Sequence, residues 1–186
     1  MFQGYIEQLE FIADSSIDVV VSNCVVNLSP KKELVMQEIS RVLKPGGEFY
    51  FSDVFVDRRL PDHVAFDPIL HSECLGGALY YRDFESLAKQ TGFKDPRILT
   101  SAPITIQNSE IEAQCGAAVF TSITYRLFKI ASLDDLCEDY GQIASYNGNA
   151  SKAHPSLFHL DKKHTFEIGR PERVCANTAS MLSDTR

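Results

Sequence analysis

A chain of 186 residues is long enough for one domain, or for one domain with a small extension. Its formal net charge of −7, with 44% hydrophobic and 23% charged residues, suits a globular protein. It excludes a sequence-independent nucleic-acid binder, which needs a surface rich in Lys and Arg. No apolar run reaches the length of a membrane span, and Met1 is not followed by a signal-peptide pattern, so the expectation is a soluble, cytoplasmic protein without a membrane partner.

The first element in chain order is the compact apolar run Ile17 to Val21, in "SIDVVVSN". Its β-branched residues without alternation predict a strand buried on both faces, as in a parallel sheet. A helix follows over "LSPKKELVMQEISRVLKPGG", with Ser29 as N-cap, Pro30 at the first helical position, and Leu34, Val35, Ile39, Val42 and Leu43 on one apolar face. Lys44-Pro45-Gly46-Gly47 ends it, and "EFYFSDVFV" predicts the next strand. Strand, helix and strand make a βαβ unit, so the fold class is α/β with a parallel sheet. Another helix is expected from Tyr81 to about Gln90, then strands in "PRILTSAPITIQ" and "AAVFTSITYRLFKI". Beyond Ala131 the chain turns polar and turn-rich, which predicts a small α+β appendage.

Ligands of open α/β sheets lie beyond the carboxyl ends of the strands. Ser22, Asn23 and Cys24 fall at one such end, and Asp53 at the next. Cys74 lies in a loop ahead of Gly76-Gly77. The five cysteines form no CxxC pair and no zinc-finger spacing, and an odd number argues against a disulfide framework. Each is by default a small buried hydrophobe, and for Cys115, Cys137 and Cys175 that reading stands.

The segments "SIDVVVSN" and "RVLKPGGEFYFSDV" resemble class I S-adenosylmethionine-dependent methyltransferases. The longer strings "GYIEQLEFIADSSIDVVVSNCVVNLSP", "ECLGGALYYRDF", "SITYRLFKI", "CEDYGQ" and "GRPERVCANTASMLSDTR" are similar to arsenite methyltransferases along nearly the whole chain. The resemblance implies the C-terminal half of a Rossmann-like sheet with an arsenic-binding loop region and a small α+β appendage. The corresponding divisions are residues 1–56, a partial S-adenosylmethionine-binding domain, 57–130, the arsenic-binding region with the last strands, and 131–186, the C-terminal domain. It also implies that Cys24 and Cys74 hold As(III) as substrate. Thiolates are soft ligands for a thiophilic centre, and two sulfurs leave its lone pair free to accept the methyl group.

The same resemblance marks Tyr5, Ile6, Ser22 and Asn23 as cofactor contacts, although Tyr5 and Ile6 also read as apolar residues near a terminus. The family's glycine-rich turn, and the acidic residue that holds the ribose, fall before "MFQGYIEQLEF". The expected sheet therefore lacks its first strands and has an open edge at residues 17–21, so the expectation is either an N-terminally truncated form of a complete enzyme or a chain whose partner supplies the missing half. Expected small molecules are S-adenosylmethionine, arsenite or its thiol conjugates, and a thiol reductant such as glutathione or thioredoxin. Two other readings stay open: an As(III)-binding protein without cofactor, and a methyltransferase for an organic substrate. The second lacks an evident general base, a lone loop His71 being more often solvent-exposed. The family's tryptophans near Cys74 have no counterpart; His71 and Tyr81 stand in those stretches.

Overall fold

The structure, a computed structural model, describes residues 3–149 and 156–185; residues 1, 2, 150–155 and 186 of the expected first and third regions lie outside the described residues. Strand β1 (Ile17–Asn23) leads through a short 3-10 turn at Val26–Leu28 into helix α1 (Lys32–Val42) and the long strand β2 (Leu43–Val56). Short helices α2 (Asp62–Ala65) and α3 (Pro68–Ser72) precede strand β3 (Leu79–Tyr80) and helix α4 (Tyr81–Gln90). Strand β4 (Arg97–Pro103), helix α5 (Ser109–Cys115) and strand β5 (Phe120–Phe128) complete the main layer. The appendage holds β6 (Ile143–Ser145), β7 (Leu157–His159), β8 (Thr165–Glu167), β9 (Pro171–Arg173) and helix α6 (Ala176–Ser183).

The strand order is β1-β2-β5-β4, with β3 pairing beside the end of β2. The expected βαβ unit is present, since β1 and β2 are parallel. The sheet as a whole is mixed, however: β5 runs antiparallel to both β2 and β4. A parallel neighbour needs a full crossover each time, whereas the α5 link returns the chain from β4 directly into an adjacent antiparallel strand.

Side chains of β2 alternate faces, which splits the core in two. Phe49, Phe51 and Phe55 meet Tyr125 of β5, Phe84 of α4 and the Val35, Met36 and Ile39 face of α1. Val54 and Val56, on the other face, pack with Val64, Leu70, Leu75, Cys115 and Phe120. The appendage closes a third cluster around Phe128, Ile130, Leu133, Leu160, Phe166 and Met181.

Three sequence expectations need correction. Leu34 is exposed and Leu43 is already the first residue of β2, while Met36 joins the buried face of α1. Ser29 does not cap that helix and Pro30 is not its first residue: both precede the cap position Lys31, and Ser29 accepts the Lys31 backbone N–H at 3.0 Å and donates to the carboxylate of Glu7. Strand β1 is not buried on both faces. It is the sheet edge, with Val19 51% and Val21 73% exposed, while Ile17 and Val20 pack inward. The two inward residues are three apart because the register with β2 shifts between Ile17 and Val19, across the Lys44-Pro45-Gly46-Gly47 bulge.

Candidate functional site

Cys24 follows the last residue of β1, and its backbone N–H donates to Ser52 of β2 at 2.9 Å, so the sheet fixes its position. The next residues are held from beneath by Asp53, which is 1% exposed. Its carboxylate accepts the backbone N–H of Asn27 at 3.0 Å and of Val54 at 2.9 Å. The Asn27 side-chain amide donates in turn to the Val54 carbonyl. A buried carboxylate and a buried amide thus tie the turn after Cys24 to the end of β2. Burial pushes the Asp53 carboxyl up, while its backbone hydrogen bonds and the nearby Lys32 ammonium pull the other way.

Cys74 arrives from the opposite direction. Asp67 caps α3 by accepting the N–H groups of Ile69 and Leu70, with Pro68 at the first helical position. The chain then turns back, with the Cys74 N–H on the His71 carbonyl and the N–H groups of Leu75 and Gly76 on the Leu70 carbonyl. Gly77 seats this turn on the one that follows Cys24. A Cβ there would lie 2.3 Å from the Asn27 carbonyl oxygen, so only glycine allows the two backbones to approach. An imidazole nitrogen of His71 lies 3.4 Å from the Leu28 carbonyl on the same seam.

The thiols of both residues are shifted by their surroundings. Burial pushes the Cys74 thiol up, and the negative charges of Cys24, Asp53 and Glu73 push it further. The Cys24 thiol is likewise raised, by burial and then by Asp53. Among the described residues, three non-glycine residues have a left-handed backbone, Ser15, Cys24 and Cys74, with φ of 49°, 53° and 60°. A non-glycine residue in that region costs on the order of 1–3 kcal/mol and persists only where the surroundings impose it.

A family profile described as a methyltransferase domain matches residues 1–102, more than half of the chain. The chain belongs to that family. It is 54% identical over 98% of its length to an arsenite methyltransferase of Aquipseudomonas alcaligenes, and 43% identical over 98% to an arsenite methyltransferase of Homo sapiens. It covers 53% and 48% of those two proteins, so the chain spans about half the length of the curated relatives it matches. Among solved structures it resembles an arsenic(III) S-adenosylmethionine methyltransferase of Chlamydomonas reinhardtii. That match has a TM-score of 0.93 and 51% identity, covering 98% of this chain and 62% of the other.

The residues marked as cofactor contacts of this methyltransferase-family chain fall in two places. Ser22 and Asn23 close β1, and the Asn23 side-chain carbonyl lies 3.6 Å from the Cys24 sulfur. Tyr5 is 78% exposed, whereas Ile6 packs partly on the main core. Their segment is not helical; it is strapped to α1 by Arg41, which donates to the carbonyls of Leu9 and Ile12, and by Glu38, which accepts the Leu9 N–H. Asn27 escaped the sequence reading. The signal was one amide inside the apolar run "CVVNL", where a buried polar residue needs a partner.

Proposed function

We propose that this chain carries the arsenic-holding part of an arsenite methyltransferase, with Cys24 and Cys74 as the substrate ligands. The observation that supports the reading is the packing of the turn that bears Cys74 on the turn that follows Cys24, sealed by Gly77 against Asn27, with both cysteines in a left-handed backbone. The identity to arsenite methyltransferases along the chain supports it.

The chemistry suits a pair of thiols. When arsenous acid meets Cys24 and Cys74, two As–S bonds form and two As–O bonds break. The oxygens leave as water carrying the two thiol protons, and arsenic stays trivalent. The neutral product also removes the repulsion that two adjacent thiolates would suffer. Its lone pair is left at the carboxyl end of the sheet. S-adenosylmethionine, when bound, supplies the activated methyl group. Tyr5, Ser22 and Asn23 would form one wall of its site, and the open edge of β1 is where further strands, or a partner chain, would complete it. The chain's own task is to hold and orient the arsenic and keep water from its lone pair. All five cysteines are free, which suits a reducing cytoplasm with glutathione or thioredoxin as the thiol source.

The test is arsenic X-ray absorption on the protein loaded with arsenite, with transfer of labelled methyl from S-adenosylmethionine measured alongside. Sulfur coordination lost in both Cys24→Ser and Cys74→Ser, together with methylated arsenic from the unaltered protein, is the expected result. Equal arsenic coordination in either variant would reject the site. Bound arsenic without methyl transfer would leave an arsenite-binding protein.

A further inference from the structure

A second pair of cysteines meets in the appendage. Cys175 caps α6, its sulfur accepting the Thr178 backbone N–H at 3.5 Å, with the Thr178 hydroxyl at 3.3 Å. An Arg97 guanidinium nitrogen points at the same sulfur from 3.8 Å. Across from it, the Ala176 N–H donates to the Glu138 carbonyl at 2.8 Å. Residues adjacent to each cysteine are thereby bonded to one another, which sets the exposed Cys137 beside the end of α6 that Cys175 caps. Asn177 anchors the same seam, accepting the Asp134 N–H at 2.7 Å and donating to the Asp134 carbonyl at 2.9 Å. The default reading of Cys137 as a buried hydrophobe fails, because it is at the surface.

We propose that Cys137 and Cys175 form a second dithiol site, for a trivalent arsenical that carries one carbon substituent. Two sulfurs and one carbon complete the three bonds of such an arsenic centre, so the site needs no third protein ligand. A divalent metal is poorly served here. Among the described residues no group of three or more His, Cys, Asp or Glu could hold one, and the Arg97 guanidinium repels a cation. A neutral arsenical bound through sulfur is not repelled. Cys137 gives access from solvent, and Cys175 supplies the more nucleophilic partner. Burial would raise the Cys175 thiol, but the hydrogen bonds from Thr178 and Arg97 help bring it below the usual range. Capture is a condensation without redox change: two As–S bonds form, two As–O bonds break, and the oxygen departs with the two thiol protons as water.

The site is distinct from Cys24 and Cys74 and does not depend on methyl transfer there. Phenylarsine oxide is the probe, added under a phosphine reductant to the full chain carrying Cys24→Ser and Cys74→Ser. Mass spectrometry should show one adduct per chain with the loss of two alkylatable thiols, reversed by a small dithiol. Adding Cys137→Ser should abolish the adduct. If the background variant does not fold, the unaltered protein is probed instead, with alkylation mapped at each cysteine. Protection of Cys137 and Cys175 together supports the site. No adduct, an adduct that survives Cys137→Ser, or alkylation of Cys137 and Cys175 undiminished by the probe overturns it.

Discussion

The contact between Gly77 and Asn27 decides whether the two thiol-bearing turns can meet. With a methyl group 2.3 Å from a backbone carbonyl, the neighbour is not a flexible side chain that can step aside, and the turn must shift. Gly77→Ala is expected to cost about 1–3 kcal/mol in urea unfolding, the range typical of overpacking. It is also expected to weaken arsenite binding at Cys24 and Cys74, read as a displaced titration midpoint. An unchanged midpoint in a destabilised variant would show that the seam supports the fold but does not align the sulfurs. The proposed pairing of these cysteines rests, on the sequence side, only on their family contexts. Their left-handed backbones and the glycine contact arise between segments 50 residues apart, and no local pattern encodes that.

Elements with a long amphipathic period were readable, and short ones were not. Helix α4 runs from Tyr81 to Gln90 as expected, because its apolar face repeats over nearly three turns. Helices α2, α3 and α5 span 4, 5 and 7 residues, too few to show a period. What marks α3 and α5 is their caps, Asp67 ahead of Pro68 and Asn108 ahead of Ser109. The antiparallel direction of β5 was not readable, because a buried apolar strand looks alike in parallel and antiparallel surroundings. Strand β1 raises the converse issue: its sequence suits an interior strand, yet it forms an edge with Val19 and Val21 exposed. Such an edge is a template for pairing with other chains. Val19→Lys with Val21→Lys should therefore lower self-association in sedimentation velocity, with each exposed substitution changing stability by no more than about 0.5 kcal/mol. Sedimentation identical to the unaltered chain would mean that this edge does not drive association.

At the scale of the whole molecule, the appendage is clamped to the sheet by charge as well as by its own apolar cluster. Arg97 of β4 reaches Asp161 at 3.0 Å and Asp95 at 2.7 Å, and it also donates to the Thr178 hydroxyl of α6 at 3.2 Å. Arg126 of β5 pairs with Glu48 of β2 at 2.8 Å and donates to the Leu160 carbonyl at 2.9 Å. Burial alone would raise the Asp161 carboxyl, but hydrogen bonds from His164 and the Lys163 N–H, with the charge of Arg97, bring it down to about 2 from an ordinary 3.8. A carboxyl depressed by folding stabilises the protein above its unfolded value, and that contribution is lost as pH falls through the folded one. The difference of nearly two units corresponds to on the order of 2 kcal/mol, fully present above about pH 5 and gone below about pH 2. Asp161→Asn should therefore lower unfolding free energy by that order at pH 6, with the gap to the unaltered chain closing as the pH is lowered toward 2. Parallel stability curves for the two proteins across this window would remove Asp161 from the clamp and leave the apolar cluster around Phe128 and Leu160 as what holds the appendage in place.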